Sequence, residues 1–517
     1  MERKAIVLKN SYHDSAFLML ASKALRQIPG INDAALVMAT AANVEILREI
    51  GLFDPDIGVT TPNDLIIAVS GEGEEVLDQA FKTAEDSLHR RKARIEEGEE
   101  YRPVSLDGAL QMLPEASLVI ISVPGMYAAR EARKALARGL HVMLFSDHVP
   151  LKDEVELKKL ARQKGLLMMG PDCGTAIINS KPLCFANVVR RGNVGITAAS
   201  GSGLQELTCL IHDFGSGISQ AIGTGGRDLQ KEVGGIMMLM GIEALESDSA
   251  TGVIVALSKP PAVEVAERIL SRLRQTGKPC VVHFIGQKKK PASENLWFSG
   301  DLEETAAMAA ALSMGERYEG RGIAMAETEQ FVQRETSRMT KTQKYLRGLY
   351  TGGTLADEAM TIFEREGFAV HSNIQTNGER FLHDPHISLG HTIIDLGDDR
   401  FTSGRPHPMI DTSIRAARIE KEMEDPEVAV LLLDFILGYG SHEDPCGSIL
   451  GTLERGKEKA KERGGNLAVV ASITGTGEDY QNKDHQRKKL ESIGCVVMPS
   501  STQAVLFALK IIRRIAS

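Results

Sequence analysis

The chain has 517 residues, which excludes a single ordinary core and leads to an expectation of about three or four domains. Its 43% apolar and 25% charged residues are those of a globular protein, and a formal charge of −9 excludes a basic face for nucleic acid. Along the first 98 residues, apolar runs such as "KAIVLK" and "DLIIAVSG" alternate with helical patterns such as "DSAFLMLASKALRQI". This predicts a small α/β domain over 1–98, closed by a polar helix from about 74 to 98. From 99 to 168 the pattern becomes strand, turn, helix, strand. "LVIISV" and "HVMLFS" are unbroken apolar runs of the kind found in buried parallel strands, so half of a doubly wound sheet is expected.

Two units then resemble one another. "ASGSGLQEL" (199–207) aligns without a gap on "YTGGTLADE" (350–358), matching Ser200 to Thr351, Gly201 to Gly352, Leu204 to Leu355 and Glu206 to Asp357. An acid-led apolar run follows each, "DSATGVIVALSKPP" and "DPEVAVLLLDFILG", and then a glycine-led strand and a helix. Duplication of an α/β unit explains the pattern, against chance similarity. The units span 169–315 and 346–517, with the polar stretch 316–345 as linker. The six cysteines are scattered without a CxxC pair and fit reduced thiols. No apolar run reaches the ~18 residues of a membrane span, and the N-terminus lacks a signal-peptide pattern. A cytoplasmic protein without a membrane partner is expected. The basic runs at 89–94 and 288–290 read as solvated surface.

Both repeats carry a glycine turn between strand and helix. Residues 201–206 read GxGxxE, with Glu206 where a dinucleotide fingerprint needs its third glycine, so that reading is weak. Backbone amides at a helix start still favour an anion. Ser200, Gly201, Ser202 and Gly203 form one candidate cradle. Gly225, Gly226 and Arg227 form a second, the arginine offering a bidentate fork. Thr351, Gly352, Gly353 and Thr354 form a third. Tight turns without a ligand are the competing reading. Asp395, Asp398, Asp399, Arg405, His407 and Asp411 fall within 17 residues, with prolines on both sides of His407. This suits a placed imidazole or a rigid salt-bridged turn, and a magnesium ion beside a phosphate is a further candidate. The loop "LGYGSHEDPCG" is either a site wall or a capped turn. Cys173 is either a nucleophile or a buried thiol, with burial favoured.

The segments "GPDCGTAI", "GNVGITAASGSGLQEL", "AIGTGGRDL", "LYTGGTLADEAM", "IDLGDDRFTSGRPHPMID" and "LLLDFILGYGSHEDP", in this order, resemble the FdrA family, a branch of the succinyl-CoA synthetase-like proteins. The resemblance implies a degenerate Rossmann-like CoA-binding-type domain at 99–168. Two flavodoxin-like ligase domains, at 169–315 and 346–517, would follow it. In such synthetases a histidine carries phosphate in the loop after the strand matching "VVHFIG", and a glutamate at the end of the preceding strand steadies it. Here the loop "GQKKKPASENLWFSGDLEE" has no histidine, Lys259 stands in the glutamate's place, and an ATP-grasp domain has no counterpart. The resemblance therefore implies acyl or carbamoyl transfer to or from a free phosphate, or carbamoyl phosphate, in allantoin (purine nitrogen) catabolism. Separate partner subunits, an oligomer and CoA are implied as well. In that scheme Arg405 takes a substrate carboxylate, His407 serves as acid–base, and Asp395 and Asp411 orient the histidine or a metal. Alternatives are an acyl-CoA synthetase with an ATP-binding partner, or a non-catalytic scaffold that binds an acyl-CoA or phosphate metabolite.

Overall fold

The computed structural model describes residues 2–11, 13, 15–54, 57–96, 103, 105–287, 289–318, 320, 328–374, 380–402 and 405–516. Parts of the expected linker and of the basic runs lie outside them. The chain divides into two units, 1–112 with 402–406, and 113–401 with 407–517.

The first unit contains β1 (Glu2–Leu8), α1 (Ser15–Arg26), β2 (Ile31–Met38), α2 (Ala41–Glu49), β3 (Leu65–Gly71), α3 (Glu74–Glu96) and α4 (Leu106–Met112). β3 lies between β1 and β2 and is antiparallel to both, so the β1–α1–β2 unit is split around it. Period-2 patterning explains the burial. Leu65, Ile67 and Val69 face Leu18, Leu25, Leu77 and Phe81, while Ile66 and Ala68 face Leu47 and Leu52.

The second unit opens with a three-stranded parallel sheet. β4 (Leu118–Ile121), β5 (His141–Leu144) and β6 (Met168–Met169) pair in that order, with α5 (Gly125–Ala137) and α6 (Leu151–Lys164) between them. The antiparallel hairpin β7 (Thr175–Ile178) and β8 (Lys181–Cys184) then edges the first lobe. That lobe continues through β9 (Arg191–Ala199), α7 (Gly201–Asp213), β10 (Ile218–Gly223), α8 (Ile236–Ser247) and β11 (Val253–Ser258). It ends with α9 (Val263–Arg274), β12 (Cys280–Phe284), β13 (Leu296–Phe298) and α10 (Leu302–Ser313). After α11 (Thr328–Thr336), the second lobe begins with β14 (Tyr345–Tyr350), α12 (Gly353–Arg365), β15 (His371–Ser372) and β16 (Thr392–Asp395). Next come α13 (Asp399–Thr402), α14 (Ser413–Met423), β17 (Val428–Ile436) and α15 (Leu450–Glu462). β18 (Ala468–Thr474), α16 (Lys483–Ser492), β19 (Val496–Met498) and α17 (Ser501–Ala516) complete it.

The duplication is visible in the strand orders, 13-12-11-9-10-7-8 and 15-16-14-17-18-19. β9 lies between β10 and β11 as β14 lies between β16 and β17, which is the flavodoxin-like arrangement in both lobes. Such sheets bind ligands beyond the carboxyl ends of the strands, where the order reverses. Here those points are the loops after β9 and β11 and after β14 and β17.

The lobes share one core. Leu204 and Leu207 of α7 are buried in the same cluster as Ala306 and Ala309 of α10, Leu355 and Phe363 of α12, and Ala504 and Ala508 of α17. Small residues on α10 and α17 let the helices approach closely, and burial of a side chain such as Phe363 contributes roughly 2–3 kcal/mol. Buried carboxylates tie the lobes reciprocally. Glu206 accepts from Ser501 N at 2.9 Å and from the Thr474 hydroxyl. Glu358 accepts from Leu302 N at 2.6 Å and from Thr502 Oγ1 at 3.3 Å. Each carboxylate thus caps a helix of the opposite lobe. No helix among the described residues is long and apolar enough to cross a membrane.

Candidate functional site

The starts of α7 and α12 meet across the lobe interface. Ser200 is the N-cap of α7 and accepts from Gly203 N at 3.1 Å. Its hydroxyl donates to Thr354 Oγ1 at 2.8 Å, and Ser202 Oγ accepts from Thr354 N at 3.3 Å. The structure thus brings Ser200–Gly203 and Thr351–Thr354 together, as two sheets of the same order joined through these helices require.

The two starts are filled differently. Asp434 on β17, itself fully buried, accepts from Thr351 N and Gly352 N, both at 2.8 Å, and from Thr351 Oγ1 at 3.1 Å. Arg415 of α14 stands 3.3 Å away as its counter-ion. Asp395, ending β16, places Oδ2 where a Cβ on Gly353 would fall, 2.4 Å from it. The expectation that Thr351 and Gly352 donate to an external anion is corrected accordingly: the chain's own carboxylate takes those amides. Gly201 is exposed and Ser202 and Gly353 are half-buried, so the mouth of the junction lies at the α7 start.

Lys259 follows β11 and reaches across to α12, its Nζ 2.7 Å from Asp357 Oδ2. Burial acts to lower its pKa, but Asp357, Asp395 and Asp172 outweigh that, and the pKa is raised. Lys259 is a stable cation beside the paired helix starts. Desolvation pushes the Asp395 carboxyl up to about 7, against the pull of Lys259 and of the Gly397 amide, which donates to Oδ1 at 2.8 Å. Asn373 brackets Asp395 by accepting from its N–H at 2.9 Å and donating to its carbonyl at 2.8 Å.

His407 joins this loop. Its Nε2 lies over Gly397, where a Cβ would be 2.6 Å away, and its Nδ1 accepts from Met409 N at 3.2 Å. Desolvation pulls its pKa down to about 4, so at neutral pH the imidazole is uncharged with its proton on Nε2. The sequence reading expects Asp411 to orient it and Arg405 to take a substrate carboxylate. Asp411 accepts from Ser413 N at 3.0 Å and braces the start of α14 instead of orienting the imidazole. Arg405 is exposed and belongs to the segment 402–406, outside the unit that carries the junction.

At the Gly225–Arg227 turn the arginine pairs with an anion of the chain's own. Gly225 packs on the Pro171 carbonyl, and Arg227 donates to Val149 O at 2.7 Å and pairs with Glu154 at 2.9 Å. The next residue, Asp228, holds Lys158 at 2.8 Å and accepts from Met237 N and Met238 N. The cluster fastens α6 to the first lobe, and the Arg227 fork of this candidate cradle already pairs with a carboxylate of the chain. Cys173 is a buried thiol raised to about 12 by desolvation. In the loop after β17, Asp444 is taken up by Lys489, Gln486 and Gly447 N, as in a capped turn. His283 is buried and lowered to about 4 by desolvation. Exposed Asp147, His148 and Asp399 cluster through ion pairs of 3.0 and 3.2 Å. Lys259 stands out in the sequence, in the glutamate's place, but its pairing with Asp357 and the role of Asp434 do not. The local signal is the lysine that directly follows the buried strand "VIVALS".

Comparison with known proteins places this geometry. The CoA-ligase family profile matches residues 349–511, and the CoA binding domain profile matches residues 189–286. The second match falls on the first lobe, whereas the sequence reading puts a CoA-binding-type domain at 99–168. The profile "AllF, heavy metal-associated domain" matches residues 1–103. The α subunit of the ADP-forming succinate–CoA ligase of Methanothermobacter thermautotrophicus is 24% identical over 213 residues, 40% of this chain and 71% of that one. Among solved structures, the Ca. Korarchaeum cryptofilum dinucleotide forming acetyl-coenzyme A synthetase 1, in complex with phosphate and ADP, is 17% identical. It covers 77% of this chain and 82% of that one at a TM-score of 0.29, too low to build on. The class is a multidomain α/β protein of CoA-ligase type with succinyl-CoA synthetase-like architecture. Within it, the uncharacterized protein YahF of Escherichia coli K12 is 44% identical over 510 residues, 98% of each chain, and this chain belongs to the YahF family.

Among its described residues, the first unit gathers no group of three or more His, Cys, Asp or Glu that could hold a metal ion. Residues 1–103 contain no cysteine, so the soft thiolate donors a heavy metal prefers are missing, and His13 lies against Ser11 and the Phe17 ring.

Proposed function

We propose that the chain is an FdrA-type subunit of an enzyme that transfers an acyl or carbamoyl group to or from phosphate without a phosphohistidine. One observation carries this reading. Lys259, which stands where the resemblance implies the glutamate that steadies a phosphohistidine, is a cation paired with Asp357 at the junction of two helix starts. No histidine occurs between residues 284 and 370 to act as carrier. A cation in that place suits a guest that is itself an anion and is never bonded to the protein.

In the carbamoyl case, phosphate lies at the α7 start, against the Gly201 and Ser202 amides and the Lys259 ammonium. A phosphate oxygen attacks the ureido carbon of an oxamate-type ureide. The new C–O bond forms, the C–N bond breaks, and the leaving amide nitrogen takes the phosphate's proton, giving carbamoyl phosphate and the free amide. Neutral His407 serves as a hydrogen-bond donor from Nε2. Separate subunits supply the remaining substrate contacts, and the protein works in the cytoplasm. Arg405 would take the carboxylate of the substrate.

The test is incubation of the protein and its partner subunits with oxamate-type ureides and phosphate. Carbamoyl phosphate formation is expected, and its absence across such donors defeats the reading. The profile match at 189–286 favours a second reading, an acyl-CoA synthetase using CoA and an ATP-binding partner. CoA-dependent ADP formation that appears only when the partner is added would establish it. Thermal stabilisation by phosphate or acyl-CoA without turnover in any mixture would mark a binding scaffold.

A further inference from the structure

The small sheet β4–β5–β6 ends on an edge without the usual protection. Among the described residues, β4 pairs with β5 alone, in unbroken register from Leu118 to Ile121. The Ser117 and Ile121 carbonyls accept from His141 N and Phe145 N, on the β5 side, at 2.8 and 2.9 Å. By the two-residue alternation of a parallel ladder, the N–H and C=O groups of Leu118 and Ile120 point to the open side. The strand "LVII" carries no charge, proline or bulge, the devices that stop an edge from pairing. Its surroundings are apolar as well, with Ile120 49%, Val123 39% and Tyr127 54% exposed. Arg133 of α5 turns toward α6, where it meets Glu156 at 3.3 Å. At about 100° per residue, Tyr127 and Glu131 then lie on the other side of α5, over the open edge.

We infer that this edge is an interface between two copies of the chain. β4 pairs antiparallel with β4 of a second copy, and two three-stranded sheets become one of six strands. The occupant is a second copy because the edge is its own complement. A two-fold axis beside β4 sets Leu118 and Ile120 of each chain against the same residues of the other, and closed two-fold pairing is the commonest route to an oligomer. The helices fit the same axis. α5 contacts both β4 and β5, so α5 and its counterpart lie two strand spacings apart, about 10 Å, which is the ordinary helix-packing distance. They run antiparallel. Glu131 and Lys134, which bond each other at 2.8 Å within one chain, then face Lys134 and Glu131 of the other. A charge row that matches its own reverse favours a copy over an unrelated strand. The inference does not depend on the reaction proposed for the chain.

The experiment is sedimentation velocity of the full-length protein over a range of concentrations, and a mass of two chains is expected. Ile120→Lys places the missing edge charge on a half-exposed side chain. It should raise the dimer dissociation constant about a hundredfold or more, with circular dichroism unchanged. Glu131→Lys should raise it about threefold to tenfold, and combining it with Lys134→Glu should restore the native value. Ile387→Lys, at an isoleucine 51% exposed in the second lobe, should leave the dimer intact. A single-chain mass at every concentration overturns the inference. So does a dimer that survives Ile120→Lys, or a charge swap that fails to restore what Glu131→Lys loses. A native monomer that binds another subunit, and loses it in Ile120→Lys, would give the edge to a different partner and overturn the second copy. Where Ile120→Lys fails to fold, Glu131→Lys and its charge swap decide.

Discussion

The two lobes derive from one plan, yet their first helices start in opposite electrostatic settings. α7 begins with hydroxyls and amides at an accessible mouth, after the strand β9 whose Ala199 pairs with Ser258, the residue before Lys259. α12 begins against Asp434, which consumes two amides and a hydroxyl, and under Asp395. On the function proposed above, a duplicated fold thus yields a receiving half and a supporting half. Filling one helix start with a fixed carboxylate removes a competing anion site and leaves a rigid wall against which the other can work. Strand order is inherited, whereas the occupant of a helix start depends on a single residue on a neighbouring strand.

That contrast can be broken most severely on the receiving side. Lys259→Ala leaves Asp357 and Asp395 without their cation, and we expect phosphate-dependent turnover to fall about a hundredfold or more while circular dichroism is unchanged. Full activity in this variant would mean that the α7 start needs no cation. On the supporting side, Asp434→Asn strands the buried Arg415 guanidinium and loosens two amides. A loss of about 3–5 kcal/mol in urea unfolding is expected. A loss under about 1 kcal/mol would show that Asp434 does not hold the α12 start.

Much of the architecture is legible in the chain. The unbroken apolar runs, the glycine turns and the match of Ser200 to Thr351 point to two α/β lobes, because strand burial and helix starts are local properties. The split pairing of β1 and β2 around β3 is not local, and nothing in the alternating pattern says which strand takes the centre. The candidate site is legible in the same partial way. The turn at 225–227 has the local chemistry of an anion cradle, but its arginine pairs with Glu154, more than 70 residues earlier in the chain. Lys259 and Asp357 become a pair only once two lobes dock, and Arg405 lies in a suggestive cluster that the fold does not gather. Residue types are visible in sequence, and tertiary contacts decide which charges are already satisfied.

The reciprocal capping of α17 by Glu206 and α10 by Glu358 offers a subtler test of the symmetry between lobes. Desolvation raises both carboxyls above the ordinary glutamate range, Glu358 well above it. An acid whose folded pKa is raised stabilises the fold below its unfolded value of about 4.5 and loses that contribution as pH climbs toward the folded value. The urea midpoint should therefore fall as pH rises above about 4.5, and Asp395, pushed up to about 7, contributes with the same sign. Glu358→Gln keeps an acceptor for the Leu302 amide but cannot ionise, so its profile should be flatter than that of the native protein. An identical slope in both proteins would place the titration elsewhere.

The smallest expected effect lies at the contact where the two helix starts touch. Thr354→Val removes the acceptor for the Ser200 hydroxyl but leaves Ser200 capping Gly203, so only one cross-lobe bond of 2.8 Å is lost. About 0.5–1 kcal/mol of stability should go, whereas Ser200→Ala removes the cap as well and should cost about 1–2 kcal/mol. Comparing the two separates what the junction needs from what α7 needs alone. If Thr354→Val proves as damaging as Ser200→Ala, the cross-lobe bond outweighs the cap. The receiving half would then depend on its twin for more than a wall.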